Sequence, residues 1–273
     1  ASIAFYICRG LELIELHMVD HFRQSLVHTA LGCASKHLNA TLDGNHQNTS
    51  LRALQHVREL HISCHDKALG FPIQEIVIVL QLPRLGTVRG EMINIRGDQT
   101  HPQSFTSTLK HAYFDSAFDA QGVAWVLARC QALETLKLLW DGPPEHSLHF
   151  DTVSAAILHR GPYLTALKLS QDNVNSYKCQ RGTLTRASRL KSIAIPAWAL
   201  FCHGDEEESD LEHRLDMVLP LSLEVLEIEC ADDDIFLGDD ELLVAMIKSG
   251  RFANLKQILI DREADFTGNP EGL

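Results

Sequence analysis

The chain has 273 residues, of which 45% are apolar and 22% are charged. This apolar fraction is enough to build a sizeable buried core, so the composition excludes a chain that is disordered throughout. The uninterrupted apolar runs are all far shorter than the roughly 18 residues that a membrane-spanning helix needs. We therefore expect a soluble globular protein that has no membrane partner.

The net charge of −12 is concentrated at one end of the chain. Residues 1–202 carry 16 acidic and 19 basic side chains, whereas residues 203–273 carry 20 acidic and 5 basic ones. An acidic surface repels phosphate backbones, so this distribution disfavours nucleic acid as a partner. It leaves the class of protein partner open.

Seven cysteines are spread over the whole chain without paired spacing, and their number is odd. This pattern is typical of reduced, mostly buried thiols rather than of a disulfide framework. The first ten residues also lack the charged start and apolar centre of a secretory signal. We therefore expect a cytoplasmic or nuclear location.

A six-residue motif with apolar residues at positions 1, 4 and 6 recurs along the chain. Copies begin at residues 11, 57, 109, 133, 164, 190, 223 and 255, and a weaker copy begins at residue 85. From residue 57 onward the mean step between copies is about 28 residues. Each copy predicts one strand, because alternating apolar residues are typical of a strand with one buried face.

The segments between the copies predict helices, each of which precedes the next strand. The residues predicted to share the inward face of a helix are Val123, Val126, Leu127 and Cys130 after Asp119, Val153, Ala156, Ile157 and Arg160 after Asp151, and Leu243, Met246 and Ile247 after Asp239. Gly161 and Gly250 are the expected ends of the second and third of these helices. The residues Asp20 to His37 and Pro72 to Leu80 also predict helices, although 76–79 alone would favour a strand.

The repeated motif, its period and the alternation of strand and helix resemble leucine-rich repeats. The resemblance implies an α/β fold, namely an irregular, ribonuclease-inhibitor-like solenoid with parallel strands on the concave face and helices on the convex face. We expect residues 1–273 to form a single leucine-rich-repeat domain. A loop insertion is expected at 39–50 and an acidic loop at 204–210.

The clusters that could carry chemistry have simpler interpretations. His61, Cys64 and His65 cannot all converge from one strand, because residues 61 and 65 share a face and residue 64 points away. Cys202 and His203 are surrounded by acids at 206–208, which oppose formation of a reactive thiolate. We therefore predict a protein that is not an enzyme and has no catalytic residues, metal site or cofactor. A Cys/His or metal-dependent hydrolase is kept as a remote alternative.

The candidate binding site is the face that the repeat leaves exposed. Side chains at positions 3, 5 and 7 project from the concave sheet, opposite to positions 4 and 6. Position 5 of the successive copies holds Glu15, His61, Arg89, Tyr113, Lys137, Lys168, Ala194, Glu227 and Leu259. We predict that the basic middle of the sheet binds a protein partner that is acidic or phosphorylated. The predicted partner-binding residues are Arg89, His111, Tyr113, Lys137, Trp140 and Lys168. The alternative is that these charges only keep an exposed sheet soluble.

The weak Leu-x-x-Leu-x-Leu units of variable length, with phrases such as Leu82 to Leu85 and Leu133 to Leu138, resemble the repeat domains of fungal F-box-type proteins. The resemblance implies the substrate-recognition part of an SCF-type ubiquitin ligase. The F-box that contacts the ligase linker would then lie outside this chain. Alternatives are a scaffold or a GTPase regulator of the same fold without a link to ubiquitin. An F-box upstream of residue 1 distinguishes the first role from the second.

Overall fold

The computed structural model describes residues 12–18, 56–64, 71–73, 77–95, 106–116, 120–140, 150–171, 183–201, 215, 218–230 and 239–261. The chain divides into two compact units, Ala1–Leu136 (unit 1) and Lys137–Leu273 (unit 2). The predicted loops at 39–50 and 204–210 and the predicted helix from Asp20 to His37 lie outside the described residues. Each unit is described by itself below.

Strands and helices alternate in unit 1. Its elements are β1 (Leu13–Met18), β2 (Glu59–Cys64), β3 (Phe71–Pro72), α1 (Val77–Leu80), β4 (Thr87–Glu91), β5 (Ile93–Asn94), β6 (His111–Ser116) and α2 (Ala120–Arg129). Strands β1, β2, β4 and β6 are parallel and pair in chain order, while β3 pairs with β5 in a separate two-stranded sheet.

The boundary between the units falls within β7 (Thr135–Trp140). The following elements are α3 (Phe150–Arg160), β8 (Ala166–Gln171), β9 (Ser192–Pro196), α4 (Ala197–Phe201), β10 (Val225–Glu229), α5 (Asp239–Ser249) and β11 (Gln257–Asp261). Strands β8 to β11 are parallel and also pair in chain order. The predicted α/β class with parallel strands is confirmed.

Every copy of the motif contains a strand that begins at its position 3. Pairing also follows the motif, because position 5 of one strand lies opposite position 5 of its neighbour, as in Glu15 with His61 and His61 with Arg89. A parallel strand has a side-chain period of two, so this register keeps the apolar positions on one face throughout. The strands predicted from the nine copies are therefore confirmed.

Positions 1, 4 and 6 form the core in all described copies between the first and the last. In the last copy the prediction of buried side chains is wrong, since Leu255 and Ile258 are half-buried and Ile260 is 39% exposed in β11, which ends the described strand order. From β6 to β10, and in β2, the side chains at positions 1, 4 and 6 are at most 2% exposed. They are Val57, Leu60, Ile62, Leu109, Ala112, Phe114, Leu133, Leu136, Leu138, Leu164, Leu167, Leu169, Leu190, Ile193, Ile195, Leu223, Leu226 and Ile228. Burial of each large aliphatic side chain contributes about 1.5–3 kcal/mol before the entropic cost of ordering, so these columns are the main source of stability.

The same backbone contacts precede successive strands. The carbonyl oxygen at position 2 accepts hydrogen bonds from the N–H groups at positions 2 and 3 of the next copy, as Arg58 does from Gly86 and Thr87 at 2.8 and 3.0 Å. The N–H at position 1 closes a turn with the carbonyl three residues earlier, as in Leu190 with Ala187 at 3.0 Å. The backbone hydrogen bonds therefore repeat from copy to copy, as the apolar residues do.

Two of the predicted helices are confirmed and a third differs at one residue. The residues predicted to share the inward faces of α2 and α3 are buried, except that the side chain of Arg160 lies outside the described part of the structure. In α5, Leu243 and Met246 are buried, but the prediction that Ile247 points inward is wrong, since its side chain is 59% exposed. Gly250 follows α5 with a φ of +64°, which is the left-handed conformation that glycine provides at a helix end.

The predicted helix from Pro72 to Leu80 is only partly correct. Pro72 belongs to β3, which pairs with β5, and the described helix is limited to Val77–Leu80. The weak motif copy beginning at residue 85 also has a local explanation. Its position 6 is Gly90, and a Cβ there would lie 2.3 Å from the Ile93 Cγ1. Ile93 fills the core space that a larger residue at position 6 would occupy in another copy.

Candidate functional site

The exposed face of the sheet in unit 1 carries all three predicted site residues of that unit, Arg89, His111 and Tyr113. It consists of the described side chains at positions 3, 5 and 7 of β1, β2, β4 and β6, and is called here the unit 1 face. These are Leu13, Glu15, Glu59, His61, Ser63, Thr87, Arg89, Glu91, His111, Tyr113 and Asp115. In β2, β4 and β6 they alternate with buried core residues, so the predicted separation of the two faces is confirmed for these strands.

Arg89 and Tyr113 form the centre of the unit 1 face. The register pairs them on the neighbouring strands β4 and β6. The Arg89 guanidinium carbon lies 4.6 Å from the centroid of the Tyr113 ring, which is the geometry of a cation–π contact. Arg89 is exposed and Tyr113 is half-buried. The structure thus brings together two of the predicted residues as a preorganised pair that a partner can reach.

A histidine between two carboxylates lies beside this pair. The His61 Nδ1 is 3.7 Å from Glu15 Oε1, and its Nε2 is 3.5 Å from Glu59 Oε2. On the other side, the His111 Nδ1 is 3.1 Å from the hydroxyl of Thr135. Glu91 and Asp115 lie at position 7 of β4 and β6. The carboxylates at positions 3 and 7 therefore flank the column at position 5.

In unit 2 the predicted site residue Lys168 has two carboxylate partners. Its Nζ is 3.0 Å from Glu227 Oε1 and 2.6 Å from Glu229 Oε1. The same Glu229 oxygen accepts a hydrogen bond from the Ser170 hydroxyl at 2.9 Å. Glu229 is 8% exposed, and Lys168 is one-third exposed. Lys168 is thus held in a closed ion cluster rather than presented as a free cation.

The ion cluster spans three strands because the middle strand has a small residue. Ala194 of β9 lies opposite both Lys168 and Glu227 in the register. Its methyl group leaves room for the two long side chains to meet above it. Burial lowers the pKa of Lys168, but the hydrogen bonds and charges of Glu229 and Glu227 together exceed that effect and hold the pKa above its usual value. Lys168 is therefore charged at physiological pH.

The remaining predicted residues of unit 2, Lys137 and Trp140, lie on β7. Lys137 is half-buried at position 5, and Trp140 is the last residue of the strand. The side chain of Trp140 lies outside what the structure describes, so its predicted role stays a prediction. The six predicted residues thus divide between the two units, with Arg89, His111 and Tyr113 in unit 1.

A line of ion pairs at position 2 was missed by the sequence analysis. Within unit 1, Glu12 lies 3.9 Å from Arg58, and Lys110 lies 2.7 Å from Glu134. Within unit 2, Glu224 pairs with both Lys191 and Lys256. The hydrogen bonds from these two lysines lower the pKa of Glu224 to about 2. The signal was present in the sequence, because position 2 holds opposite charges in the neighbouring copies that form these pairs, although it is uncharged at Gly86 and Thr165.

The described residues hold little that suggests covalent or metal chemistry. Burial raises the pKa of the Cys130 thiol to about 12, although a hydrogen bond with Ser107 opposes this effect, so the thiol is neutral and a poor nucleophile. Cys64 is the last residue of β2, while His65, Cys202 and His203 lie outside the described residues. Within the described ranges, His, Cys, Asp and Glu side chains form no group of three that could hold a metal ion.

The comparisons with known proteins leave the family open. A scan of the sequence against protein-family models gives no match, and a search among curated proteins gives no significant one. Among the helices that the structure describes, none is long and apolar enough to cross a lipid bilayer.

Proposed function

We propose that this protein is a non-enzymatic protein-binding module that presents the unit 1 face to a partner. The contact between Arg89 and Tyr113 is the observation that carries the proposal. Tyrosine and arginine are enriched among the residues that dominate binding energy at protein interfaces. A planar guanidinium held on an aromatic ring loses little conformational freedom when it binds, so less binding energy is spent on ordering it.

The repeat architecture supports the same proposal. A series of parallel strands in constant register places equivalent side chains in columns. Neighbouring members of one column are about 5 Å apart. Such a surface binds extended partners through many side chains on a rigid backbone. The leucine-rich-repeat solenoid is part of this proposal, since the motif, its strand register and its recurring turns are what that family would show.

The test compares proteins captured by the wild-type chain and by two variants. The stacked-pair variant Arg89→Ala/Tyr113→Ala removes the stacked pair, and the control variant Arg58→Ala removes an exposed arginine at position 2 of the motif copy that begins at residue 57, just before β2. Lysate from the natural host is used, and captured proteins are quantified by mass spectrometry. We expect a set of proteins whose capture falls at least tenfold in the stacked-pair variant and is retained in the Arg58→Ala control. Equal capture by all three chains, with unchanged circular dichroism, would refute binding through this face.

The role in an SCF-type ubiquitin ligase is a second proposal, which rests on the resemblance to F-box-type proteins alone. The same capture experiment tests it when it is carried out on the full natural chain, including any residues encoded before Ala1. Recovery of a ubiquitin-ligase linker and a cullin supports the role. Recovery of other partners without them favours a scaffold or GTPase regulator of the same fold.

A further inference from the structure

We infer that the partner segment bound by the unit 1 face carries a net positive charge, supplied by lysine or arginine side chains that pair with Glu15, Glu59 and Glu91. The inference rests on the proposed function, because it names the chemistry of the partner for the same face. It differs from the prediction of an acidic or phosphorylated partner, because that prediction rests mainly on the side chains at position 5.

The balance of charge on the unit 1 face is negative once the register places positions 3 and 7 beside position 5. Four carboxylates, those of Glu15, Glu59, Glu91 and Asp115, lie on it with one guanidinium, that of Arg89. Glu15, Glu59 and Glu91 are exposed. Within the part of the chain that the structure describes, no lysine or arginine forms an ion pair with these three.

These charges are close enough to act together. Neighbouring strands are about 4.8 Å apart and residues along a strand are about 3.3 Å apart, so the three glutamates start within about 7–10 Å of Arg89. That separation is comparable to the Debye length of about 8 Å at physiological ionic strength. An approaching charged group therefore meets the combined field of the four residues rather than the field of Arg89 alone.

The magnitudes favour a basic segment over an acidic one. A negative charge placed about 4 Å from Arg89 would gain about 1–4 kcal/mol, for effective dielectric constants between 80 and 20. At about 8 Å, each glutamate would repel it by about 0.5–2 kcal/mol on the same scale, so three of them offset the attraction. A positive charge placed among the glutamates gains these terms instead. A phosphate group carries nearly two negative charges, so its attraction to Arg89 and its repulsion by the glutamates both roughly double. Phosphorylation therefore does not favour binding to this face.

Protonation of the histidine leaves the sign unchanged. His61 lies between Glu15 and Glu59, so a positive imidazolium would pair with them and reduce the negative charge by one. His111, the other histidine among the described side chains of this face, would reduce it by one more. With Asp115 counted and both histidines protonated, four carboxylates on this face still outnumber three cations. The stem of a partner lysine or arginine can pack on the exposed side of the pair formed by Arg89 and Tyr113.

The experiment selects peptides against the full chain and reads their charge. The probe is a bead-bound library of random ten-residue peptides that includes phosphoserine among its building blocks. Selection uses the wild type, the face variant Glu15→Gln/Glu59→Gln/Glu91→Gln, the control variant Glu12→Gln/Glu134→Gln/Glu241→Gln, and the stacked-pair variant Arg89→Ala/Tyr113→Ala. The face and control variants each lose three negative charges, so general attraction of cations to an acidic protein affects them equally. Circular dichroism checks that all three variants are folded.

We expect the wild type and the control to enrich net-positive peptides, and the face variant to bind those peptides at least tenfold more weakly. Enrichment of acidic or phosphoserine peptides that depends on Arg89 would overturn the inference and leave the proposed function in place. If basic peptides are selected but bind the face and control variants equally, the inference is also wrong, because the attraction is not specific to this face. Selection of no peptide whose binding changes in the face variant or in Arg89→Ala/Tyr113→Ala would contradict the proposed function itself.

Discussion

Arg89 in unit 1 and Lys168 in unit 2 occupy the same position of the repeat but have different surroundings. Arg89 stacks on Tyr113 and is exposed, whereas Lys168 is bound by Glu227 and Glu229 in a partly buried cluster. The difference comes from residues one and two strands away rather than from the strand itself. A cation in such a column can bind a partner only when the side chains on neighbouring strands do not already pair with it and bury it.

The largest expected effect concerns the packing that supports the unit 1 face. A Cβ on Gly122 in α2 would lie 1.8 Å from the backbone oxygen of Ile95, so Gly122→Ala forces α2 away from that segment. We expect a loss of about 2 kcal/mol or more in the free energy of unfolding, measured with urea. Alanine in an unconstrained helix would instead stabilise by up to about 1 kcal/mol, so a gain would contradict this close approach.

Gly86→Ala is the matched control for that substitution. The nearest atom to a Cβ on Gly86 is the Arg58 oxygen at 3.8 Å, which is an ordinary contact. Its effect should stay within about 0.5 kcal/mol. If both alanine variants lose the same stability, the loss reflects a general intolerance of the repeat to added side chains.

The second prediction compares the two position-5 cations directly. Lys168→Met leaves the buried carboxylate of Glu229 without its cation, and we expect a loss of about 2 kcal/mol in the free energy of unfolding. Arg89→Met removes one exposed cation–π contact and should cost less than about 1 kcal/mol. Urea unfolding of both variants measures the difference.

A double-mutant cycle locates the cause of that difference. Glu229→Gln combined with Lys168→Met should cost less than the sum of the two single changes, because the pair interacts. Equal costs for Lys168→Met and Arg89→Met, or strict additivity in the cycle, would remove the distinction between the closed cluster and the exposed pair.

The smallest expected effect is the pH dependence of the line of ion pairs at position 2. The pKa of Glu224 is lowered to about 2, so its contribution to stability is complete above its ordinary pKa near 4.5 and is lost as the pH falls toward 2. The difference in stability between wild type and Glu224→Gln should therefore shrink between pH 5.5 and pH 3. Urea unfolding at several pH values measures it, with Glu241→Gln on α5 as a control. A difference that does not change with pH would argue against these pairs.

The sequence by itself determined the positions of the strands and, for the motif strands from β2 to β10, the side that is buried. The spacing of apolar residues at positions 1, 4 and 6 is local information, and a side-chain period of two converts it directly into faces. The ends of α3 and α5 were readable for the same reason, since Gly161 and Gly250 act on their own backbone. Ile247 shows the limit of prediction from helical spacing. The spacing of apolar residues tells which side chains share a helix face, but not how much of that face the core covers.

Only the tertiary structure decided which charges on the exposed face are free. The closed cluster of Lys168, Glu227 and Glu229 joins residues 59 or more positions apart, and it needs the small Ala194 between them. The structure likewise showed that Ile93 fills the space beside Gly90. Electrostatic and packing energies depend on distances between side chains on different strands. These distances can be derived from the sequence only when the pairing register of the strands is known.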